Sequence, residues 1–263
     1  MNIIKHQGKE CKTNSGFSER GVVYWTKLKE GDSNMSEYME THKGKLIYEN
    51  PLAKAEDLKD FVLEGKARMS FPEGRLRLEN AESETLGQKA NYVLWCRETF
   101  PADILLEIDF LPVREPGLAM LFFSAAGRDG RDLFDPDLSP RTGEYIQYHH
   151  GDINAFHLSF FRRKEKDERS FHTCNLRKSY GFYLVAQGAD PIPDAADAED
   201  MYRLTLMKCG PEIRFAVNGL EVLTFRDDGE SYGALLGGGC IGLRQLAPMI
   251  GEYAHLRIYE CLP

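Results

Sequence analysis

Short segments in which apolar and polar residues alternate follow one another through most of the chain from about residue 45. In residues 202–208 the apolar side chains recur at every second position, the spacing that places them on one face of a β-strand. Gly, Pro, Asn or Asp residues bound these segments, and helical periodicity is almost absent. The predicted strands outside the central region are residues 46–48, 67–71, 75–78, 92–96, 104–111, 118–124, 202–208, 213–217, 221–225, 241–245 and 255–261.

Many short strands without intervening helices predict an all-β fold, a sandwich or barrel of antiparallel strands. Asn218-Gly219 predicts a hairpin, because this pair accepts the positive φ angles of a type I′ turn. Residues 53–61 suggest a short helix. Two long loops, residues 125–143 and 186–200, are rich in Gly, Pro and Asp, and loops of that length often carry function.

The first 40 residues differ from the rest of the chain. Lys, Glu, Ser, Asn and Gly dominate there, and residues 22–25 form the only short apolar run. So little apolar surface predicts a flexible or loosely attached N-terminal arm over residues 1–40. Residues 41–263 are then predicted to form a single β-sandwich domain.

Polar side chains lie at strand spacing in the central region of the chain. Tyr145, Gln147 and His149 alternate with apolar neighbours, and His157 and Ser159 do so again after a predicted turn. Only one pairing register keeps the apolar residues of both segments on one face. That register places Gln147 opposite His157 and Tyr145 opposite Ser159. The other face then carries hydroxyl, amide and imidazole groups, a combination suited to hydrogen bonding with a sugar.

Charge and composition narrow the classes of partner. The 263-residue chain carries 33 Lys and Arg against 41 Asp and Glu, a net charge of −8, which argues against nucleic acid and anionic membranes. No apolar run approaches the roughly 20 residues that span a bilayer, and the first residues lack the apolar core of a secretory signal. The six scattered cysteines have no metal-site spacing. We expect a cytoplasmic protein with reduced thiols, no cofactor and no metal.

Seven segments resemble the bacterial YesU-like family, a domain of unknown function (DUF1961). They are PGLAMLFFSAAG, DLFDP, EYIQYHHGDINAFHLSFFRRK, CNLRKSYGFYLVAQGADP, YRLTLMK, VNGLEVLTFRDDG and IGLRQLAPM, and the resemblance runs from about Tyr48 to the C-terminus. It implies the concanavalin A-like jelly-roll fold of lectins and glucanases, a β-sandwich of two antiparallel sheets. It also implies a carbohydrate context, since some members lie among genes for the breakdown of rhamnogalacturonan-type pectin.

The polar face supplies the candidate site, which we expect to be partly exposed. β-Elimination on a uronate needs a group that neutralises the carboxylate, a base and an acid. Gln147 with Arg177 (or Arg163) is predicted to take the first role, and His157 with Tyr145 the other two. The predicted substrate-binding residues are His149, Ser159, Arg163, His172, Asn175, Lys178 and Tyr180.

Three other patterns favour structural roles. Glu107 and Asp109 alternate like a glucanase carboxylate pair, but the further Glu of that motif is absent, and a solvated strand face explains them. The aspartates of residues 125–143 do not match a calcium loop and suit turns. His149 and His150 are adjacent and would point to opposite faces of a strand, so a shared zinc site is disfavoured.

The sequence therefore predicts a protein that binds an oligosaccharide derived from an acidic plant polysaccharide of the rhamnogalacturonan or pectin type. In the enzymatic interpretation it also cleaves that ligand, as a lyase acting by β-elimination or as a glycoside hydrolase acting on a modified sugar. A lectin-like protein that binds without turnover is the alternative from another class. A third interpretation uses the sheet face for contact between copies of the chain in a homo-oligomer.

Overall fold

Antiparallel strands pair into two sheets in a computed structural model, which describes residues 36–165 and 171–263. The eight-stranded sheet contains β1 (Lys43–Asn50), β3 (Ala67–Ser70), β4 (Leu76–Asn80), β6 (Ile104–Arg114), β11 (Tyr202–Cys209), β12 (Glu212–Val217), β13 (Leu220–Arg226) and β15 (Ile250–Cys261). The seven-stranded sheet contains β2 (Phe61–Glu64), β5 (Tyr92–Phe100), β7 (Leu118–Gly127), β8 (Ile153–Phe160), β9 (Thr173–Lys178), β10 (Tyr183–Ala189) and β14 (Gly239–Leu246).

The strand order brings distant parts of the chain together. In the eight-stranded sheet the order is β13-β12-β11-β6-β15-β4-β3, and β1 pairs with the last part of β15. In the seven-stranded sheet the order is β10-β9-β8-β7-β14-β5-β2. The neighbouring strands β8 and β9 of this second sheet carry five of the eleven predicted site residues: His157, Ser159, Asn175, Arg177 and Lys178.

The helices are short. α1 (Ser36–Thr41) precedes β1, and α2 (Ile146–His149) lies in the connection between β7 and β8. Met39 of α1 is buried beside Leu105 and Met207, so the sandwich begins before residue 41, the predicted start of the domain. The predicted arm otherwise lies outside the described residues. The described residues also contain 3₁₀ helices at Ala55–Leu58, Pro72–Gly74 and Glu84–Ala90.

Alternate residues of the strands fill the space between the two sheets. Leu106, Ile108 and Phe110 of β6 belong with Phe156 and Leu158 of β8 to one cluster of buried side chains. They lie two residues apart because successive side chains of a strand point to opposite faces. Burying one such side chain contributes about 1.5–3 kcal/mol, so this cluster is the main source of stability.

The outer face of the seven-stranded sheet is also covered, by residues 128–152, which we call the covering segment. The ring of Tyr148 in α2 lies 5.4 Å from Phe122 of β7 and 6.2 Å from Trp95 of β5, centroid to centroid. β7 is therefore buried on both faces. This explains why residues 118–123 form a continuous apolar run in place of an alternating one.

A buried arginine attaches the covering segment to the sheet. Arg244 of β14 is fully buried, and its Nη1 donates a hydrogen bond to the carbonyl oxygen of Gly143 at 2.6 Å. Its guanidinium carbon lies 5.1 Å from the ring centroid of Tyr145 and 5.5 Å from that of Tyr148. Gly143 has a φ of 98°, and a Cβ there would overlap the backbone of Asn91. Only glycine lets the segment come this close.

Most of the strand prediction agrees with the structure. A strand occurs at each position predicted outside the central region. Asn218 and Gly219 both have positive φ angles and join β12 to β13, as predicted for the hairpin. Strands β2, β9 and β10 lie outside the predicted set, because their residues show little regular alternation.

The strand predicted over residues 145–149 is wrong. This stretch forms α2 and the turn before it, in which the Gln147 amide donates to the Glu144 oxygen and the Tyr148 amide to the Tyr145 oxygen, both at 3.0 Å. Tyr145 and Tyr148 lie three residues apart, so one helical turn directs both rings toward the sheet. The two tyrosines thus follow a helical period, although the polar residues between them imitate a strand.

The hairpin register predicted from that strand is wrong as well. β8 pairs with β7 and β9, and His157 lies opposite Phe122 on one side and Arg177 on the other, not opposite Gln147. Ser159 correspondingly does not pair with the turn that contains Tyr145. The alternation within residues 156–160 nevertheless places His157 and Ser159 on the face that points away from the core between the sheets.

Gly143→Ala is expected to lower the free energy of unfolding by more than about 3 kcal/mol, because the new Cβ forces the covering segment away from Asn91. Gly130→Ala is the matched control. Gly130 also has a positive φ, 85°, but a Cβ there meets no atom within 4 Å, so we expect a loss of about 1–2 kcal/mol. Urea denaturation measures both values. Equal losses would show that backbone conformation, and not the close approach, sets the cost.

Candidate functional site

A groove on the outer face of the seven-stranded sheet brings together several predicted site residues; we call it the polar groove. Its volume is about 230 Å³, and Tyr145, Ser159, Asn175, Arg177 and Phe182 line it. Ser159 of β8 lies directly opposite Asn175 of β9. Side chains at directly opposed positions of neighbouring strands stand side by side, so the two strands supply one continuous polar row.

His157 lies beneath the polar groove and is 1% exposed. Its Nδ1 lies 3.0 Å from the Tyr145 hydroxyl oxygen, and its Nε2 lies 3.0 Å from Ser179 Oγ. The Ser179 hydroxyl donates to the Ala155 carbonyl oxygen at 3.2 Å and accepts from the Ala155 amide at 3.0 Å. Ser179 therefore accepts from Nε2–H, which leaves Nδ1 to accept the proton of the Tyr145 hydroxyl.

Burial also determines the charge of His157. It lowers the pKa of the imidazole well below its usual value, and the nearby charges of His149, Arg244 and Arg177 act in the same direction. The ring is therefore neutral at physiological pH, and both of its nitrogens are bonded within the protein. The expectation of a partly exposed imidazole is wrong, because β8 is covered at this point. The role of His157 is to hold the Tyr145 hydroxyl in place through the hydrogen bond at Nδ1.

Tyr145 stands at the border between the polar groove and the covering segment. Its ring centroid lies 4.9 Å from that of His149 and 5.6 Å from that of Phe182. Burial raises the pKa of its hydroxyl to about 12, although Arg244 and Arg177 act in the opposite direction. The hydroxyl is therefore protonated at neutral pH. For the neighbouring His149 the direction is opposite: burial lowers the pKa of its imidazole to about 4, because burial disfavours the charged form.

Arg177 is the cationic centre of the polar groove. Its guanidinium carbon lies 3.8 Å from the centroid of the Phe182 ring, and its Nη1 donates to the Phe182 carbonyl oxygen at 3.0 Å. The largest influence on the pKa of Arg177 is burial, which lowers it. The neighbouring Tyr145 raises this pKa, and the charge of Arg162 lowers it. Within residues 36–165 and 171–263, no carboxylate forms an ion pair with Arg177.

Other charged residues line the groove beside Arg177. They are Arg162, Lys164 and Glu165, and Lys164 Nζ lies 3.7 Å from the Glu165 carboxylate in an ion pair. A cationic side chain in a partly enclosed cleft concentrates anions, so Arg177 favours an anionic ligand.

Gln147 does not face the polar groove. Its Oε1 accepts from the amide of Thr142 at 2.7 Å, and its Nε2 donates to the hydroxyl of the same residue at 3.0 Å. These bonds hold the turn that leads into α2. The predicted role of Gln147 as a carboxylate-neutralising group depends on the strand that is absent, so the structure does not bring it to the other site residues.

Arg163 and His172 lie together at another place. Arg163 is fully buried and forms ion pairs with Asp190 at 3.1 Å and Asp194 at 2.9 Å. His172 Nε2 lies 3.7 Å from the same Asp194. Phe161, which follows β8, has a φ of 45° and ends the strand alternation that predicts Arg163 in the polar row. Arg163 therefore stabilises a loop and does not reach the groove.

Lys178 and Tyr180 line a second, larger cavity at one end of the seven-stranded sheet, which we call the terminal cavity. Its volume is about 560 Å³. Lys178 is 1% exposed, and its Nζ lies 2.6 Å from Asp227. Tyr180 is exposed, and the guanidinium carbon of Arg128 lies 3.9 Å from the centre of its ring. Asn154 also lines this cavity.

Several residues of these sites lie outside the predicted set, among them Arg128, Phe182 and Arg244. Strand parity alone could have placed Arg244, because it alternates with Ile241 and Leu243 of the core and so belongs to the outer face. Arg128 and Phe182 follow the ends of β7 and β9, where alternation stops. No sequence signal marks them.

Other candidate chemistry is absent from the described residues. No group of three or more His, Cys, Asp or Glu side chains there is arranged to hold a metal ion. Glu107 and Asp109 lie on the outer face of the eight-stranded sheet, where Lys43 Nζ binds Glu107 at 2.6 Å and Arg203 binds Asp109. These two carboxylates are buried in ion pairs, so the expectation of a solvated strand face is wrong. No helix in the same part of the chain is long and apolar enough to cross a membrane.

The two packed antiparallel sheets define a concanavalin A-like β-sandwich, as predicted. The carbohydrate recognition domain of Emp47p has this fold, with a TM-score of 0.55 and 13% identity over 83% of this chain and 98% of that domain. So distant a likeness shows the fold alone. The sequence matches the family described as "Domain of unknown function (DUF1961)" over residues 45–258, and the chain belongs to that family.

Relatives from Bacillus subtilis are much more similar. The uncharacterized protein YesU of strain 168 is 49% identical over 220 residues, which are 84% of this chain and 98% of the relative. A crystal structure of a B. subtilis protein of unknown function with a galectin-like fold has a TM-score of 0.81 and 49% identity, over 84% of this chain and 98% of that one. The predicted family and fold are confirmed.

The buried His157 predicts a loss of stability in mild acid. Histidine in an unfolded chain has a pKa of about 6.5, and burial lowers that of folded His157. Below about pH 6.5 the unfolded chain therefore binds a proton that the folded protein does not. Because of this, the contribution of His157 to the free energy of unfolding is complete above about pH 6.5 and is lost progressively as the pH decreases. The slope for this residue is at most about 1.4 kcal/mol per pH unit.

His157→Gln is expected to flatten that slope. Urea denaturation at several pH values between about 7.5 and about 5 measures it, with the parent protein as reference. A residual slope is expected from His149, whose pKa is also lowered. An unchanged slope in the variant would mean that His157 is not the group that remains neutral.

Proposed function

We propose that the protein binds an acidic oligosaccharide of the pectin type in the polar groove, with a uronate carboxylate against Arg177. One observation carries this proposal. Arg177 is a partly buried cation without a carboxylate partner in the described residues, and it lines the polar groove. A guanidinium forms strong, charge-assisted hydrogen bonds with a carboxylate, which a neutral sugar cannot supply.

The rest of the groove suits the other groups of a sugar. Tyr145 presents a ring edge and a hydroxyl to the groove. Ser159 and Asn175 form its floor: both are buried, the Ser159 hydroxyl donates to the Asn175 carbonyl oxygen at 3.4 Å, and Asn175 Oδ1 accepts from Gln187 Nε2 at 2.8 Å. Phe182 is 44% exposed and offers apolar ring surface, which packs against the C–H groups of a pyranose. The carbohydrate recognition of the distantly related Emp47p domain supports the same class of ligand by analogy of fold.

Binding without turnover is the better supported form of this function. A base that removes the C5 proton of a uronate must reach the ligand, but His157 is covered and bonded at both ring nitrogens. Tyr145 reaches the groove, but a hydroxyl with a pKa of about 12 is almost never ionised at neutral pH. We therefore propose a lectin-like protein.

Binding measurements test the carboxylate contact. Isothermal titration with trigalacturonate should show affinity in the parent protein and a loss of at least about tenfold in Arg177→Ala, because the variant removes a charge-assisted contact. A neutral galacto-oligosaccharide should bind both proteins equally. Arg68→Ala, at an exposed position of β3, is the matched control and should keep the parent affinity. Equal affinities of the Arg177 variant and the parent would contradict the proposal.

β-Elimination in the same groove is a second candidate, favoured by the hydrogen bond between Tyr145 and His157 beside Arg177. If Tyr145 gives its proton to His157, its oxygen can take the C5 proton, the C4–O4 bond breaks, a C4=C5 double bond forms, and the leaving oxygen takes the proton back from Tyr145. Arg177 would neutralise the carboxylate during this step.

This candidate is tested by the ultraviolet absorbance of unsaturated uronate and by product mass. A lyase splits trigalacturonate without adding water, and Tyr145→Phe should then lower the rate by more than about a hundredfold. Tyr183→Phe is the control, since Tyr183 is exposed on β10. Binding with no unsaturated product in the parent protein would exclude elimination of this substrate and leave the lectin-like function.

A further inference from the structure

The terminal cavity has the size and lining of a binding site. It lies where β7, β8 and β9 meet the start of β14, and its volume of about 560 Å³ is within the usual range of about 300–1,000 Å³ for small-ligand pockets. Residues 232–238 close one side of it with a backbone rich in glycine. A Cβ at Gly237 would meet no atom within 4 Å, so there is free space beside this backbone.

Two residues that line this cavity are unusual. The Oδ1 atom of Asn154 is buried, without exposed surface, and has no hydrogen-bond partner in the described residues. Such a partnerless acceptor costs about 1–3 kcal/mol. Ser124 has a φ of 51°, a conformation that costs a non-glycine residue free energy and that concentrates at functional sites.

The cationic group of the cavity repeats the arrangement of Arg177. Arg128 stacks on the Tyr180 ring at 3.9 Å, as Arg177 stacks on the Phe182 ring at 3.8 Å. None of the described residues that line the terminal cavity is acidic, and Lys178 is neutralised by Asp227. Within the described parts of the chain, Arg128 has no ion pair with a carboxylate.

One short segment joins the two cavities. Tyr180 lines the terminal cavity and Phe182 lines the polar groove, with Gly181 between them. The amide of Gly181 donates to the His149 carbonyl oxygen at 2.7 Å, which fixes the segment to α2. Residues two positions apart are at most about 7 Å apart along the chain, comparable to the length of a sugar unit. Gly181 has a φ of 103°, a backbone conformation that favours glycine at this passage.

We propose that the terminal cavity is a second subsite for an acidic sugar, so that the ligand is a chain with at least two uronate units, one held by Arg177 and another by Arg128. This inference rests on the proposed function of the polar groove. It adds that affinity depends on the number of sugar units, because a second uronate joined to a bound one is present at a high effective concentration near the second subsite.

Titration with galacturonate, digalacturonate and trigalacturonate tests the second subsite. In the parent protein we expect the trimer to bind at least about tenfold more tightly than the monomer. Arg128→Ala should abolish most of this gain and leave the affinity for the monomer unchanged. Arg131→Ala is the matched control, since Arg131 is exposed, forms an ion pair with Asp129 at 2.6 Å and does not line the cavity; it should keep the full gain. Urea denaturation of each variant verifies that its fold is retained.

Amide chemical shifts show where each sugar binds. The trimer is expected to perturb Asn154 and the amides of residues 233–238 in addition to those beside Arg177, whereas the monomer perturbs the second set. If the gain with length persists in Arg128→Ala, or if the trimer perturbs the polar groove alone, the second subsite is overturned and the groove function stands. If the trimer perturbs only the terminal cavity and Arg177→Ala has no effect, the groove function and the two-subsite chain are overturned. If none of the three sugars binds the parent protein, both proposals fail.

Discussion

The buried guanidinium of Arg244 is the contact on which the outer face of the seven-stranded sheet depends. Taking a charge out of water is costly, and burial lowers the pKa of this group, although an arginine remains protonated. The cost is offset by the carbonyl oxygen of Gly143, by the Gln88 amide oxygen at 3.1 Å and by the rings of Tyr145 and Tyr148. Each of these partners lies on a segment that Arg244 thereby fixes to the sheet, so loss of the charge would release several elements together.

This attachment also determines which part of the sheet face is covered. An open sheet of this fold would expose a broad face, but here α2 and its flanking turns occupy part of it, with the Tyr148 hydroxyl bonded to Glu64 at 2.9 Å. Among the described residues, the strip beside β9 stays uncovered, between the covering segment and residues 161–165. The covering segment at the same time supplies Tyr145, whose orientation is fixed from below by His157. The covering segment therefore reduces the open surface of the sheet and also contributes Tyr145 to the polar groove.

Local alternation predicts most of the strands, because a strand that buries one face has a period of two that is visible without knowing the partner, but it misses β2, β9 and β10. It is also enough to place His157 and Ser159 on the outer face. The same rule fails at residues 145–149, where Gln147 and His149 imitate a strand while Tyr145 and Tyr148 follow a helical turn onto the sheet. Register, burial and the partners of Arg163 could not be predicted, since they depend on residues far away in the sequence, such as Asp190 and Phe122.

Of the two arginines that stack on aromatic rings, Arg177 is predicted from the sequence and Arg128 is not, and their positions in the fold explain the difference. Arg177 belongs to a strand and shares the outer face with its neighbours, whereas Arg128 follows a strand end and meets Tyr180 only in the folded protein. An aromatic ring beneath a guanidinium restrains its orientation without neutralising its charge, unlike a carboxylate partner. Arginines held in this way keep their charge available for a ligand, which distinguishes them from Arg141 and Arg163, whose charges are already matched by Glu64 and Asp190. In this sandwich an arginine paired with a carboxylate therefore stabilises the fold, whereas an arginine held by an aromatic ring keeps a charge that suits the proposed acidic ligand.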